Sequence, residues 1–239
     1  MNYKNLTIIG TSHISKKSIK EVKEAINNLS PDIIAIELDK RRLPALLEKK
    51  KNKGKNSLPS ISNIKYVGLQ GYLFSLLGAW VEKKLGKITG VSPGDEMLTA
   101  YNLAKKQKIG LALVDQDIQI TLKRFSKTLT WKEKWNFLVD LTKAVFGFKD
   151  KRVKAFDISG VPEDELVKEL INLVKQRYPS IYKVLIYERN KVISKNLFIL
   201  MQKHKKIVAV LGAGHKKDVI EMIKDREAFS LSQKIKQNT

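Results

Sequence analysis

Ile207-Val208-Ala209-Val210-Leu211-Gly212-Ala213-Gly214-His215 is the stretch on which the fold turns. An unbroken apolar run suits a strand covered on both faces, and the glycines after it carry the chain straight to a histidine. Three other runs share that character: Leu6-Thr7-Ile8-Ile9, Ile33-Ile34-Ala35-Ile36 and Gly110-Leu111-Ala112-Leu113-Val114, each followed by glycine or an acidic residue. Continuous runs of this kind indicate a parallel sheet rather than alternating antiparallel strands. Between the first two, residues 15–29 repeat Ile19, Val22, Ile26 and Leu29 at helical spacing until Ser30-Pro31-Asp32 breaks the pattern, which makes a βαβ unit. The expected fold is α/β: a central, mostly parallel sheet flanked by helices.

The remaining segments fit around that sheet. Ser92-Pro93-Gly94-Asp95-Glu96 reads as a capped start for a helix over 96–106, with Pro93 in its first turn. Residues 52–63 are rich in Lys, Ser, Asn and Pro and read as an exposed loop ahead of a helix over about 68–85. Residues 117–204 are almost wholly helical in pattern, with breaks at 148–150, 159–162 and Tyr178-Pro179, so they form a helical lobe inserted before the last strand. The whole chain, 1–239, is expected to be one domain ending in a polar tail over 225–239.

Bulk composition narrows the function classes. A chain of 239 residues, 43% of them hydrophobic, can fill a real core, and the absence of cysteine excludes disulfides, thiolate metal sites and a cysteine nucleophile. This fits a reducing compartment, hence a cytoplasmic protein or the cytoplasmic part of a membrane-associated one. The formal charge of +22 favours anionic partners, yet the lysines are scattered over helix faces with only local runs such as 49–55. A solvated surface explains that pattern better than a dedicated nucleic-acid patch, whereas the amphipathic segment 69–85 suits an anionic membrane surface. No signal peptide precedes the run at Leu6, and the longest apolar stretch, 69–81, is too short to span a bilayer.

In parallel α/β sheets the loops at the carboxyl ends of the strands form the ligand crevice. His13 follows the first strand, Glu37 and Asp39 the second, Asp115 and Asp117 the third, and His215 the fourth. Imidazole and carboxylate together suit a divalent ion such as zinc, manganese or cobalt, and an ion with an open position makes hydrolysis the natural reaction. Gly10, Gly212 and Gly214 would permit tight turns and let a substrate approach the backbone. Each acidic residue has a second reading as a helix cap, and either histidine alone could be structural. What favours a site is that two of the three histidines occupy matching Gly-x-x-His turns, the third, His204, lying among lysines and read as solvated.

Two further charges come from helix faces. Over 180–203 an apolar stripe runs through Ile181, Val184, Leu185, Val192, Ile193, Leu197 and Leu200, which turns Glu188 and Arg189 inward. Buried charges must be paired or coordinated, so these two are either a structural ion pair or part of the site. Glu96, in the first turn of its helix, faces inward or caps it.

Taken in order, Gly10-Thr11-Ser12-His13-Ile14-Ser15, Pro31 to Asp39, Gly94-Asp95-Glu96-Met97, Asp115-Gln116-Asp117-Ile118, Glu188-Arg189-Asn190 and Val210-Leu211-Gly212-Ala213-Gly214-His215 resemble the TraB/PrgY (pheromone shutdown) family. That family is related to the Tiki metalloproteases and to GumN, within an erythromycin esterase/ChaN-like fold group. The resemblance, over about residues 5–223, implies a metal-dependent hydrolase acting on a peptide. It implies His13, Glu37 and His215 as ligands of a divalent ion (Mn, Co or Zn), Glu96 or Glu188 as general base, and Arg189 as the stabiliser of a developing oxyanion. Gln116 stands where the family usually has arginine, so the resemblance implies either a different substrate or that Arg124 or Arg189 takes over an anionic substrate group. Relatives commonly continue into membrane helices, whereas this chain stops at Thr239, as a soluble member or the soluble part of a longer protein. Two other functions stay open: a non-catalytic protein that sequesters a peptide or haem-like ligand, and an electrostatic binder of membrane or nucleic acid. A homodimer is also compatible.

Overall fold

The last strand in the sequence lies at the middle of the sheet. The computed structural model describes residues 1–11, 16–51, 64–68, 72, 75–76, 94–145 and 163–237. Its strands are β1 (Asn2–Tyr3), β2 (Leu6–Thr11), β3 (Ile33–Ile36), β4 (Gly110–Leu113) and β5 (Ile207–Gly212), in the spatial order β1-β2-β5-β3-β4. All neighbours pair in parallel except the short β1, which is antiparallel to β2. The four expected runs are therefore the parallel part. The edge pair Asn2–Tyr3 carries too few residues to show a period, and it went unseen in the sequence.

β5 is buried along its whole length, which is what its unbroken run requires of a central strand. Side chains of one parity, Leu6, Ile8, Ile33, Ala35, Ile207, Ala209 and Leu211, meet Ile193 and Leu197 of α8 (Glu188–Met201) and Val219, Ile220 and Ile223 of α9 (Ala213–Gln237). The other parity, Ile34, Ile36, Val208 and Val210, meets Val22 and Ile26 of α1 (Lys16–Leu29) and Met97, Ala100 and Ala104 of α3 (Asp95–Gln107). The helix after β2 thus covers one face and the helix after β5, its neighbour, covers the other. This is the arrangement that opens a crevice at the carboxyl ends of adjacent strands.

Between β3 and α3 runs α2 (Arg42–Lys51), and between β4 and β5 the described elements are all helices: α4 (Ile118–Thr128), α5 (Trp131–Val145), α6 (Glu163–Arg177), α7 (Pro179–Tyr182) and α8. α8 is the element of this block that covers the sheet. The helix expected over 180–203 runs unbroken from Pro179 to Met201, but it is not α throughout, because Lys183–Tyr187 forms a π-helical turn between α7 and α8. A π turn takes up more residues per revolution than an α turn, and Val184 within it is fully buried, as are Ile193 and Leu197 of α8. Helix α3 begins at Asp95 with Gly94 before it at a left-handed φ of 93°, while Ser92 and Pro93, expected to open it, lie outside the described residues. A side chain at Gly94 would also collide with Leu46, its Cβ falling 2.8 Å from a Leu46 methyl. The segment read as a polar tail continues α9 as helix to Gln237, with Phe229, Leu231 and Ile235 exposed. The expected loop over 52–63, the breaks at 148–150 and 159–162, and most of the segment 69–85 lie outside the described residues.

One carboxylate ties the helical block together. Glu133 accepts from the backbone N–H and hydroxyl of Thr130 at 2.9 and 2.7 Å, while its own N–H bonds back to the Thr130 hydroxyl, which is a capping box at the start of α5. Its second oxygen accepts from Ser180 N at 2.6 Å and so also caps α7. Burial pushes its pKa up, but the hydrogen bonds from Thr130 and Ser180 outweigh that and hold it below the usual glutamate value. Glu133→Ala should cost about 2–3 kcal/mol, since it leaves backbone donors unsatisfied. A folded pKa below the unfolded one gives stability that is present above the unfolded value of about 4.3 and is lost as pH falls through the folded value. Urea melts should therefore show the full difference at neutral pH and a narrowing one in acid.

Candidate active site

Glu37 is the residue on which the site is built. It follows β3 directly, its N–H donates to Val210 O on β5, and it is 5% exposed. Its Oε2 accepts from Gly212 N at 2.6 Å, so a carboxylate from one strand caps the first turn of the helix that leaves the next. The partial positive charge at that helix end favours an anion there. Its Oε1 accepts from Arg189 Nη2 and lies 3.3 Å from Nε2 of His215.

His215 sits in the first turn of α9 and is 9% exposed. Its Nδ1 is 2.5 Å from Oδ1 of the fully buried Asn190, whose Nδ2 donates in turn to Asp218 at 3.3 Å. An amide oxygen can only accept, so Nδ1 carries the proton and Nε2 is the nitrogen presented to Glu37. Asn190 had entered the sequence reading only as part of a motif and without a role. Its position next to Arg189 on α8 is what brings it to the same corner.

Arg189 extends the network. Besides Glu37 it donates to Asp115, with Nη2 to Oδ2 at 2.7 Å and Nε to Oδ1 at 3.1 Å, and its Nη1 donates to Leu185 O in the π turn at 3.1 Å. Burial alone would lower its pKa, but the charges of Glu37 and Asp115 more than offset this and hold it above the ordinary arginine range. Asp115 also accepts from Arg42, whose Nε reaches Asp39 Oδ2 at 2.7 Å and whose Nη2 reaches Glu37 O at 3.3 Å. Charges therefore alternate along Glu37, Arg189, Asp115, Arg42 and Asp39. Three carboxylates face two guanidiniums, which leaves one formal negative charge beside His215.

Arg42 is the network member that sequence reading missed, because attention stopped at the acidic residues that end the strand. Its signal was the run Asp39-Lys40-Arg41-Arg42, where an arginine three residues after an N-cap aspartate can fold back onto it. The capping reading of Asp39 also holds, since its Oδ1 accepts from Arg41 N and Arg42 N at 2.8 and 3.1 Å.

Other expected residues fall elsewhere. Asp117 caps α4 through Gln119 N at 2.8 Å and pairs with Arg41 at 2.9 Å; burial raises its pKa, yet Arg41 and that N–H bring it below the usual aspartate value. Glu188 and Arg189 do not pair with each other: Glu188 binds Arg124 of α4 in a two-bond fork, and this pairing holds its pKa below the usual glutamate range. Arg124 is thereby engaged with Glu188, and Gln116 donates to Thr121 Oγ1 at 3.0 Å. Glu96 is 1% exposed in the first turn of α3. His204 is half-buried near the end of α8, and its carbonyl accepts from Asn5 at 2.7 Å. His13 lies outside the described residues.

The glycines work differently from their expected roles. Left-handed φ occurs, among the described glycines, at Gly68 and Gly94 and not at Gly10, Gly212 or Gly214. Gly10 instead admits a close approach by this chain itself, for a Cβ there would lie 3.2 Å from Lys216 Cδ and 3.4 Å from Ala213 Cα. Gly212 contributes its N–H to Glu37.

A divalent ion is compatible with this corner. Nε2 of His215 and Oε1 of Glu37 are adjacent donors of the kinds zinc and manganese take. Among the described residues no group of three His, Cys, Asp or Glu side chains that could hold a metal ion converges.

The sequence profile of the TraB/PrgY/gumN family matches residues 2–228, and the chain belongs to that family. An uncharacterized protein of Methanocaldococcus jannaschii is 34% identical over 236 residues, which is 95% of this chain and 55% of its own length. TraB domain-containing proteins of Mus musculus and Homo sapiens are each 22% identical over 77% of this chain and 49% of theirs. The chain thus spans about half the length of the curated relatives it matches.

Proposed function

We propose that the chain is a metal-dependent hydrolase acting on a peptide, centred on Glu37 and His215. The observation that carries this reading is the buried His215 Nε2, fixed by Asn190 on its other nitrogen and set 3.3 Å from Glu37 Oε1. A histidine oriented in this way by a hydrogen bond at its far nitrogen is the usual arrangement of an imidazole ligand. The ion, Mn, Co or Zn, would supply Lewis acidity and an activated water at neutral pH. His13, two residues beyond the end of β2 in the sequence, is the proposed third ligand.

The other residues divide the remaining work. Arg189 has its donors engaged by Glu37, Asp115 and Leu185 O, so in this proposal it positions Glu37 and is not the oxyanion donor. The first turn of α9, with the positive end of its helix dipole, supplies the electrostatic stabilisation a developing oxyanion needs. Glu188 is bound to Arg124 by two bonds, and the proposal assigns the general base to Glu96, which is 1% exposed in the first turn of α3.

Metal analysis of protein purified without chelator tests the reading. Near-stoichiometric Mn, Co or Zn is expected in the wild type, with little in His13→Ala/His215→Ala. Glu96→Gln should keep the metal and lose turnover on a peptide library. Equal and negligible metal in wild type and double variant would sink the proposal. Saturable peptide binding without product would convert it to sequestration.

A further inference from the structure

The segment Trp131-Lys132-Glu133-Lys134-Trp135 opens α5 and presents an unusual surface. Trp131 is 83% exposed and Trp135 67% exposed, and a spacing of four residues places both indoles on one side of the helix. Lys132 is exposed, and Lys134 lies over the Trp131 ring with Nζ 4.5 Å from its centroid. The intervening carboxylate does not share this surface: Glu133 is 2% exposed and bonded to Thr130 and Ser180. Asp140, farther along the helix, is likewise tied to Arg177 and Tyr178, in each case at 2.5 Å. The described outer side of α5 thus carries two exposed indoles with Lys132 and Lys134 beside them, while both carboxylates bond to other parts of the block. Lys123 and Lys127 are also exposed, on the preceding α4.

We infer that this end of α5 docks on an anionic lipid surface, with Trp131 and Trp135 seated at the headgroup level and Lys132 and Lys134 against the lipid phosphates. Indole combines an apolar body with a polar N–H and concentrates at the membrane–water interface, and lysine is drawn to anionic headgroups. The site chemistry plays no part in this inference. Docking of this kind needs no spanning segment, and among the described residues no helix is long and apolar enough to cross a membrane. The segment 69–85, expected from sequence to be the membrane-facing one, lies mostly outside the described residues, so α5 carries the inference in its place.

Lipid, rather than nucleic acid or a second copy, is favoured by shape and charge. The two indoles stand out from one side of a single helix, and a strand of nucleic acid is bound instead in a charged groove set with stacking aromatics. A chain of formal charge +22 repels its own copy, while it complements an anionic bilayer.

Sedimentation with vesicles of phosphatidylcholine, with and without phosphatidylserine, tests this on the full chain. Wild type should bind the mixed vesicles, bind pure phosphatidylcholine weakly, and lose affinity as salt rises. Trp131→Ser/Trp135→Ser should weaken binding by about tenfold or more, and Lys132→Glu/Lys134→Glu by about 25-fold, from roughly fivefold for each lysine removed. Thermal melts of these surface variants should match wild type, and tryptophan emission should shift to the blue on binding in wild type alone. Absence of vesicle binding in wild type, or equal binding by the tryptophan variant, would overturn the inference. So would a tryptophan variant that keeps vesicle binding but loses single-stranded RNA binding or a dimer seen by sedimentation velocity.

Discussion

Arg189→Met should destabilise the fold by about 3–5 kcal/mol, the range for stranding a buried charge by removing its partner. Arg189 serves two carboxylates at once, Glu37 and Asp115, which are 5% and 7% exposed. Methionine fills much of the space but supplies no donor, so both acids lose a charged partner while Asp115 keeps only Arg42 and the Gln116 N–H. The penalty should appear in urea melts as a lower midpoint with an unchanged slope, because the surface exposed on unfolding is the same. Adding Asp115→Asn should recover part of the loss, since it removes one stranded charge, and the two substitutions should couple strongly. A penalty under about 1 kcal/mol would place the network in the class of solvent-screened pairs.

The sheet was legible because a central parallel strand can only be written as an apolar run, and Ile33–Ile36 and Ile207–Leu211 have no other environment that suits them. The strand order was not legible: nothing in Ile207–Gly212 says that the last strand inserts between the first and the second parallel strands. The position of charged groups at the carboxyl edge followed from topology alone, so Glu37, Asp115 and His215 were found without knowing that order. Partner choice was a different matter. Glu188 and Arg189 are adjacent in sequence and both read as inward-facing, yet the π turn at Lys183–Tyr187 precedes them and they diverge, one toward α4 and one toward the sheet. A periodicity argument assumes a constant turn, and it cannot register an inserted residue. Thr130-Trp131-Lys132-Glu133 was legible in principle as a capping box, and that reading would have shown that the tryptophans flank an inward carboxylate.

Glu37→Gln should abolish most of the proposed turnover, by about 10²–10⁴-fold, while leaving a folded protein. Glutamine matches the volume of glutamate but carries one acceptor where two are used. If its oxygen keeps the Gly212 N–H, the amide NH2 faces Arg189 Nη2, donor against donor; if it flips, the clash moves to Gly212. One buried donor goes unsatisfied either way, at about 1–3 kcal/mol. The network beside His215 then changes from one formal negative charge to none, and the electrostatic preference for a cation goes with it. Metal content should fall together with turnover, and turnover should be measured at a temperature where circular dichroism shows both proteins folded. Glu37→Asp is the informative control: it keeps the charge, but its shorter side chain cannot reach Gly212 N and stay beside His215 Nε2. It should therefore retain more metal than Glu37→Gln and still lose activity. Wild-type metal and turnover in Glu37→Gln would make Glu37 a cap for α9 and nothing more, because the cap is the one function an amide oxygen can still perform.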